Sequence, residues 1–213
     1  MLAVLKVISA VALFSMIAGC SQPTLEAQPS NEFGSADLYP VKSSGFAHAY
    51  IRRDAELSRY TAVDIQPLDA SSVEIPQTAV AGTLRRDWLM TPQREAALQK
   101  TWADAMNDAF SAYKQAGIGE NVLRITAQLT RIAPGRPTAT TVGGALEPLG
   151  GSQDVVELWM EFRLYDAGDD QLLAVIRDNR TMTAMAMSRT SPVGVVTMFR
   201  SWAALLHTRV SGK

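Results

Sequence analysis

Cysteine is all but missing from this sequence. Its 213 residues contain a single one, Cys20, so no disulfide can form within the chain, and a leftover cysteine asks for its own explanation. Excess charge of one sign is also missing. Twenty Lys and Arg stand against 21 Asp and Glu, for a formal net charge of -1, so nothing draws the protein electrostatically onto phosphate backbones, and nucleic acid is not an expected partner. Histidine is scarce, with only His48 and His207. No Gly-x-Ser-x-Gly elbow accompanies them, which removes the usual signature of a nucleophilic hydrolase. What remains is 47% hydrophobic and 19% charged. That composition suits a globular chain with one real core, and it excludes a collagen, a coiled coil or a disordered tail.

The N-terminus begins with Lys6 as its one early charge, continues through a largely apolar run from Val7 to Ile17, and closes on the small pair Ala18-Gly19. Cation, apolar stretch and small residues in that order are the pattern of a secretory signal. As a helix the run from Val7 to Ala18 spans about 18 Å, too short for a hydrocarbon core of about 30 Å. The segment Ile17-Ala18-Gly19-Cys20 resembles the bacterial lipobox, in which a peptidase cuts before a cysteine that has received a diacylglyceryl group. The resemblance implies that residues 1–19 are a signal peptide and that Cys20 is the lipid attachment site. With up to three acyl chains and about 0.8 kcal/mol per buried methylene, such anchoring is effectively permanent. Ser21 follows where Asp would retain a lipoprotein at the inner membrane, so the expected address is the outer membrane, facing the periplasm. Residues 20–46 are rich in Ser, Pro, Gln, Asn and Gly and read as a flexible tether holding the domain some tens of Å off the membrane. Residues 47–213 are then a single α+β periplasmic domain.

Within that domain, Val63 and Ile65 alternate with Asp64 and Gln66 up to Pro67, which marks a strand that ends at the proline. Thr91 is an N-cap and Pro92 a first helical residue. Leu98, Trp102, Met106, Phe110 and Tyr113 follow at helical spacing, and Gly117 and Gly119 supply the stop. Alternation over 122–132 and again over 155–165 marks two half-buried strands. Asp166 to Asp170 reads as a hairpin turn, with a return strand over 171–181 whose inward phase is ambiguous because Leu172 and Leu173 are adjacent. Ser191 and Pro192 open a last helix with Val195, Phe199, Trp202 and Leu206 on one stripe. The expected fold is a two-layer α+β sandwich: a mostly antiparallel sheet of about four strands with two amphipathic helices on one face.

The run from Ala55 to Pro67, Ala-Glu-Leu-Ser-Arg-Tyr-Thr-Ala-Val-Asp-Ile-Gln-Pro, with the long helix and the 122–132 strand after it, resembles bacterial lipoproteins of the domain of unknown function 3313 family. That likeness implies a fold and an envelope location but brings no catalytic residues. The 134–151 loop is Gly- and Thr-rich where relatives are expected to be more apolar, and its length favours a contact or lid role.

Candidate chemistry is sparse. His207 sits near a helix end, where packing or the helix dipole accounts for it, and His48 follows the tether. Asp166, Asp169 and Asp170 lack the alternating ligands and distal Glu of a calcium loop. Gly117-Ile118-Gly119 follows a helix, the reverse of a phosphate-binding context. Met182, Met185 and Met187 are soft ligands suited to cuprous ion, or else flexible apolar cover. The most informative feature is the wet face of the 155–165 strand, where Trp159 and Tyr165 stand among Glu157, Glu161 and Arg163 as a possible interaction face, unless a neighbouring segment covers it. The expected function is a non-enzymatic, lipid-anchored envelope protein that binds another envelope protein or itself, with no cofactor. The alternatives are a small-molecule, lipid or metal-binding lipoprotein, and last a hydrolase.

Overall fold

A computed structural model describes residues 22–76, 90–135, 155–183 and 193–212. In chain order the elements are β1 (Thr24–Leu25), β2 (Leu38–Lys42), β3 (His48–Arg52), β4 (Ala62–Asp69), α1 (Pro92–Ala109), β5 (Lys114–Gln115), β6 (Val122–Gly135), β7 (Val155–Asp166), β8 (Leu172–Thr183) and α2 (Val193–Ser211). All eight strands join one sheet in the order β1-β2-β3-β8-β7-β6-β4-β5. The two helices share one hydrophobic core with one face of that sheet.

Alternation decides which face is buried. Leu158, Met160, Phe162 and Leu164 of β7 are at most 1% exposed, as period-two geometry requires when one side of a strand meets a helical layer. Leu98, Trp102 and Met106 of α1 and Phe199, Trp202, Leu206 and Val210 of α2 close over them. Thr91 caps α1 as its position suggests, its hydroxyl accepting from the Arg94 amide at 3.3 Å, with Pro92 in the first turn.

The α+β class holds, but the sheet differs from expectation. It has eight strands and is mixed, because β4 pairs in parallel with both β6 and β5. The cause is local: β4 reaches β6 through α1, and a helical crossover returns the chain to the same end of the sheet, which makes neighbouring strands parallel. The extra strands β1, β2 and β3 come from the N-terminal region, so the segment 20–46 is not a tether along its whole length. Leu38 is fully buried, and Glu26 and Ser30 amides bond the Pro40 and Leu38 carbonyls at 2.9 and 2.7 Å.

Three boundaries shift for identifiable reasons. Strand β4 runs through Pro67 rather than ending there, because the proline lies in a register shift between Ile65 and Leu68 where no ladder amide is needed. Helix α1 ends at Ala109, not at the glycines. The chain must instead deliver the Lys114 and Ala116 amides to the Thr61 and Val63 carbonyls at 3.4 and 3.0 Å. The phase of β8 is settled by a bulge opposite Leu164 and Tyr165 that lets Leu172 and Ala174 both pair. The proposed cap at Ser191 and Pro192 and the loop over 136–151 lie outside the described residues.

One buried charge locks the layers together. Asp178 of β8 points to the helical side and is 8% exposed. It accepts from the Trp202 Nε1 at 2.6 Å, from the Ala47 amide at 3.0 Å and from Arg180 Nε at 3.1 Å. It thereby ties α2 and the β2–β3 turn to the sheet. Asp178→Ala is expected to lower stability by about 3 kcal/mol, because it strands a buried indole N–H and a backbone amide. Urea unfolding followed by tryptophan fluorescence measures this, and a loss under about 1 kcal/mol would show that the pin is dispensable.

Candidate interaction face

The face of the sheet turned away from the helices carries the alternate residues of β6, β7 and β8. On β7 these are Glu157, Trp159, Glu161, Arg163 and Tyr165, the side chains expected there. Their exposures differ: Arg163 is exposed, Glu157, Trp159 and Tyr165 are half-buried, and Glu161 is buried. Trp159 faces Arg131 across the β6–β7 ladder, and the Arg131 guanidinium stands 5.0 Å from the centre of its ring. A cation over an indole at this range is worth about 0.5–1 kcal/mol at an exposed site. Arg131 is also 3.6 Å from Glu74, held there because the Glu74 amide and carbonyl bond to Thr130 and Ile132 of β6, both at 2.9 Å. Glu157 accepts from the Asn179 amide group at 2.7 Å on the neighbouring strand.

Glu161 is the electrostatic centre. Its two oxygens accept from Arg163 Nε at 2.6 Å and Arg177 Nε at 2.7 Å. Burial pushes its carboxyl up, but the hydrogen bonds and charges of the two guanidinium groups outweigh that and hold it below the usual carboxylate range. Arg177 continues the chain of contacts to Glu32. Its guanidinium lies 5.6 Å from the centre of the Phe33 ring, which in turn meets Tyr50 edge-on at 4.9 Å. The 3₁₀ segment Asn31–Ala36 therefore covers the β3–β8 part of this face. By composition that segment belongs to the expected tether, and the residues that mark it otherwise are Glu32 and Phe33, a charged and a bulky side chain in a polar stretch. The Trp159–Arg131 end is only half covered.

The other candidates are not gathered into one place. His48 is exposed on β3 beside Arg177. His207 of α2 packs against Phe110 and Tyr113, ring centres 5.4 and 5.9 Å away. Among the described residues neither has a hydrogen-bonded carboxylate or hydroxyl. Asp166 binds Arg59 at 2.7 Å and the Tyr60 hydroxyl at 2.8 Å. Asp170 binds Arg124 at 2.6 Å, and Asp169 accepts from the Gln171 amide at 3.0 Å. These aspartates thus serve a turn and its ion pairs. Gly117-Ile118-Gly119 lies in the connection from β5 to β6. Met182 is buried across from Val156, while Met185 and Met187 lie outside the described residues. A shallow open groove beside the β4 bulge is lined by Ile65, Gln66, Pro67, Ala96, Gln99 and Lys100. Its lysine is already paired to Asp104 at 2.7 Å.

The fold and face thus define a two-layer α+β protein with a polar, arginine-rich outer sheet surface. The chain belongs to the family described as protein of unknown function (DUF3313), whose model matches residues 29–206. No curated protein matches it in sequence. Similar solved structures include a hypothetical protein from Chlamydia trachomatis, at 8% identity and a TM-score of 0.44, covering 72% of this chain and 99% of that one. The PelC dodecamer from Paraburkholderia phytofirmans has 10% identity and a TM-score of 0.40, covering 74% and 96% of the two chains. A minor lipoprotein from Acinetobacter baumannii has 8% identity and a TM-score of 0.33, covering 72% and 94%.

The depressed Glu161 carboxyl carries a pH prediction. A folded-state value below the unfolded one adds stability that is fully present above the ordinary carboxylate range, near pH 4.5, and is lost as pH falls through the folded value. Glu161→Gln should therefore destabilise the protein at pH 7, with the gap from wild type shrinking as the pH is lowered to about 3. Melting temperatures across that range test it, and a gap independent of pH would remove Glu161 from the acid response.

Proposed function

We propose that this chain is a non-enzymatic lipoprotein of the bacterial envelope, anchored through acylated Cys20 in the outer membrane, that binds another envelope protein through the Trp159 end of its outer sheet face. The anchor reading rests on Ile17-Ala18-Gly19-Cys20. The observation that carries the binding reading is Trp159 itself, a half-buried indole beside Arg131 on the side of the sheet that the helices leave uncovered. Aromatic and arginine side chains concentrate the binding energy of protein interfaces, because they bring large contact area together with directional polar groups. The neighbouring charges are paired within the face, so a partner can dock without stranding a lone ion.

The test is a photoreactive residue in place of Trp159, crosslinked in living cells, with intact-mass analysis of the membrane-extracted protein. The expected result is a diacylglyceryl or triacylated Cys20 at the mature N-terminus and one discrete crosslinked protein. Crosslinking only to a second copy would replace the partner reading with self-association, and an unmodified Cys20 would sink the anchor.

A further inference from the structure

We infer that the edge of the sheet formed by β1, β2 and the turn over residues 43–47 is a membrane-apposed surface, held against the phospholipid headgroups. This rests on the proposed acylation of Cys20 and deepens it by fixing how the domain stands on the bilayer. Cys20 precedes Thr24, the first residue of β1, by four positions. A fully extended chain covers at most about 3.3–3.6 Å per residue, so the anchored cysteine lies within about 14 Å of the sheet.

The start of the sheet is not a loose end. Thr24 and Leu25 pair with Lys42 and Val41. Arg53 donates to the Ala27 carbonyl at 3.1 Å while its guanidinium lies over Tyr39 at 4.3 Å. Further along, Glu32 binds Arg177 and Phe33 packs on Tyr50. Each contact is weak alone, but they recur along the arm from Thr24 to Phe33, which is what ties down a terminal segment that would otherwise fray. Residues from Thr24 onward therefore cannot act as the spacer expected over 20–46.

Register then gives a direction. Because β1 is antiparallel to β2 and Thr24 opposes Lys42, the chain preceding Thr24 leaves the sheet beside the 43–47 turn. The exposed residues at that corner include Leu25, Lys42, Ala47 and His48. Leu25 is 43% exposed and is one of the large apolar side chains that the fold leaves in solvent. The Lys42 ammonium is only loosely paired to Glu26, at 3.5 Å. Leu25 pairs with Val41 and Lys42 with Thr24, so the edge offers an apolar side chain on one face and an ammonium paired to Glu26 on the other, a combination that suits a headgroup layer. Attraction there is slight, so the short spacer, rather than charge, sets the apposition. At the diagonal corner, Ile118 is 82% exposed in the connection leading away from β5, the other edge of the sheet. Seven strand spacings separate β1 from β5, about 34 Å at about 4.8 Å each. The Trp159 face then stands to the side, open to a partner anchored on the same membrane.

The test uses the full acylated chain in vesicles of phosphatidylethanolamine and phosphatidylglycerol that carry a rhodamine-labelled lipid. A donor dye is attached at Lys42→Cys or at Ile118→Cys, the acylated Cys20 sulfur being unreactive. Quenching at position 42 should exceed that at 118 by at least about threefold, given the separation of the two edges. A Gly/Ser insert of about 20 residues before Thr24, with a reach of about 25 Å, should abolish the difference. Equal quenching at the two positions in the uninserted acylated chain, or stronger quenching at 118, overturns the inference while leaving the anchor intact. An unacylated Cys20 in the same preparation, read by intact mass, overturns the anchoring reading and the inference with it.

Discussion

Phe162, in the middle of β7, is where the layers meet. Trp102 of α1 stacks on it at 5.5 Å, Trp202 of α2 meets it edge-on at 6.1 Å, and Phe46 of the β2–β3 turn reaches it at 6.3 Å. Phe199 closes the cluster by contacting both tryptophans, at 5.6 and 6.0 Å. The three rings against Phe162 come from segments far apart in sequence, so no part of the chain can bury its own share of the cluster alone. Aromatic rings bury about 150–250 Å² each and add directional edge and face contacts. This one constraint fixes the helical layer on one side of the sheet. By elimination it leaves the other side to charge and water.

That outer side is ordered by a different physics. Its arginines are not free cations: Arg163 and Arg177 share Glu161, Arg124 bridges Asp64 and Asp170, and Arg131 lies between Glu74 and Trp159. The exposed pairs, such as Arg124 with Asp170, contribute little each, about 0–1 kcal/mol, whereas Glu161 is buried between its two guanidinium groups. Their importance is arrangement. A cross-strand lattice of opposite charges holds planar guanidinium groups against the pleat and keeps the face from being a bare hydrophobic sheet that would aggregate. The edges obey the same economy. Strands β1 and β5 are two residues each, and Pro67 with the Gln99 side chain on the Leu68 carbonyl, at 3.3 Å, interrupts the ladder of β4 where β5 gives out.

The N-terminal arm links the two faces of the argument about function. A polar stretch with few large apolar residues reads as tether by composition, because it cannot fold on itself. It does not need to: Leu38 of β2 is buried on the same outer side that the arm covers, and Glu32 and Phe33 meet Arg177 and Tyr50 there. Once the arm is clamped, the course of the chain from Thr24 onward is set by strand register rather than by linker entropy.

Sequence alone determined what depends on local periodicity and local chemistry. The inward and outward residues of β6 and β7, the Thr91 and Pro92 start of α1, the hairpin at Asp166 to Asp170 and the composition of the Trp159 face were all legible, because a strand alternates and a cap bonds within a few residues. The parallel pairing of β4 with β6 was not among them: it overturns the mostly antiparallel sheet expected from the same elements. Only the tertiary structure decided the rest. The burial of Glu161, the passage of β4 through Pro67, the early end of α1 and the recruitment of residues 24–42 into the sheet all rest on partners tens of residues away. No local pattern records a hydrogen bond from the Trp202 indole to Asp178 or a guanidinium laid over a ring on the next strand. Such contacts exist only once the two layers have closed, and it is that closure that turns a polar N-terminal stretch into an edge of the sheet.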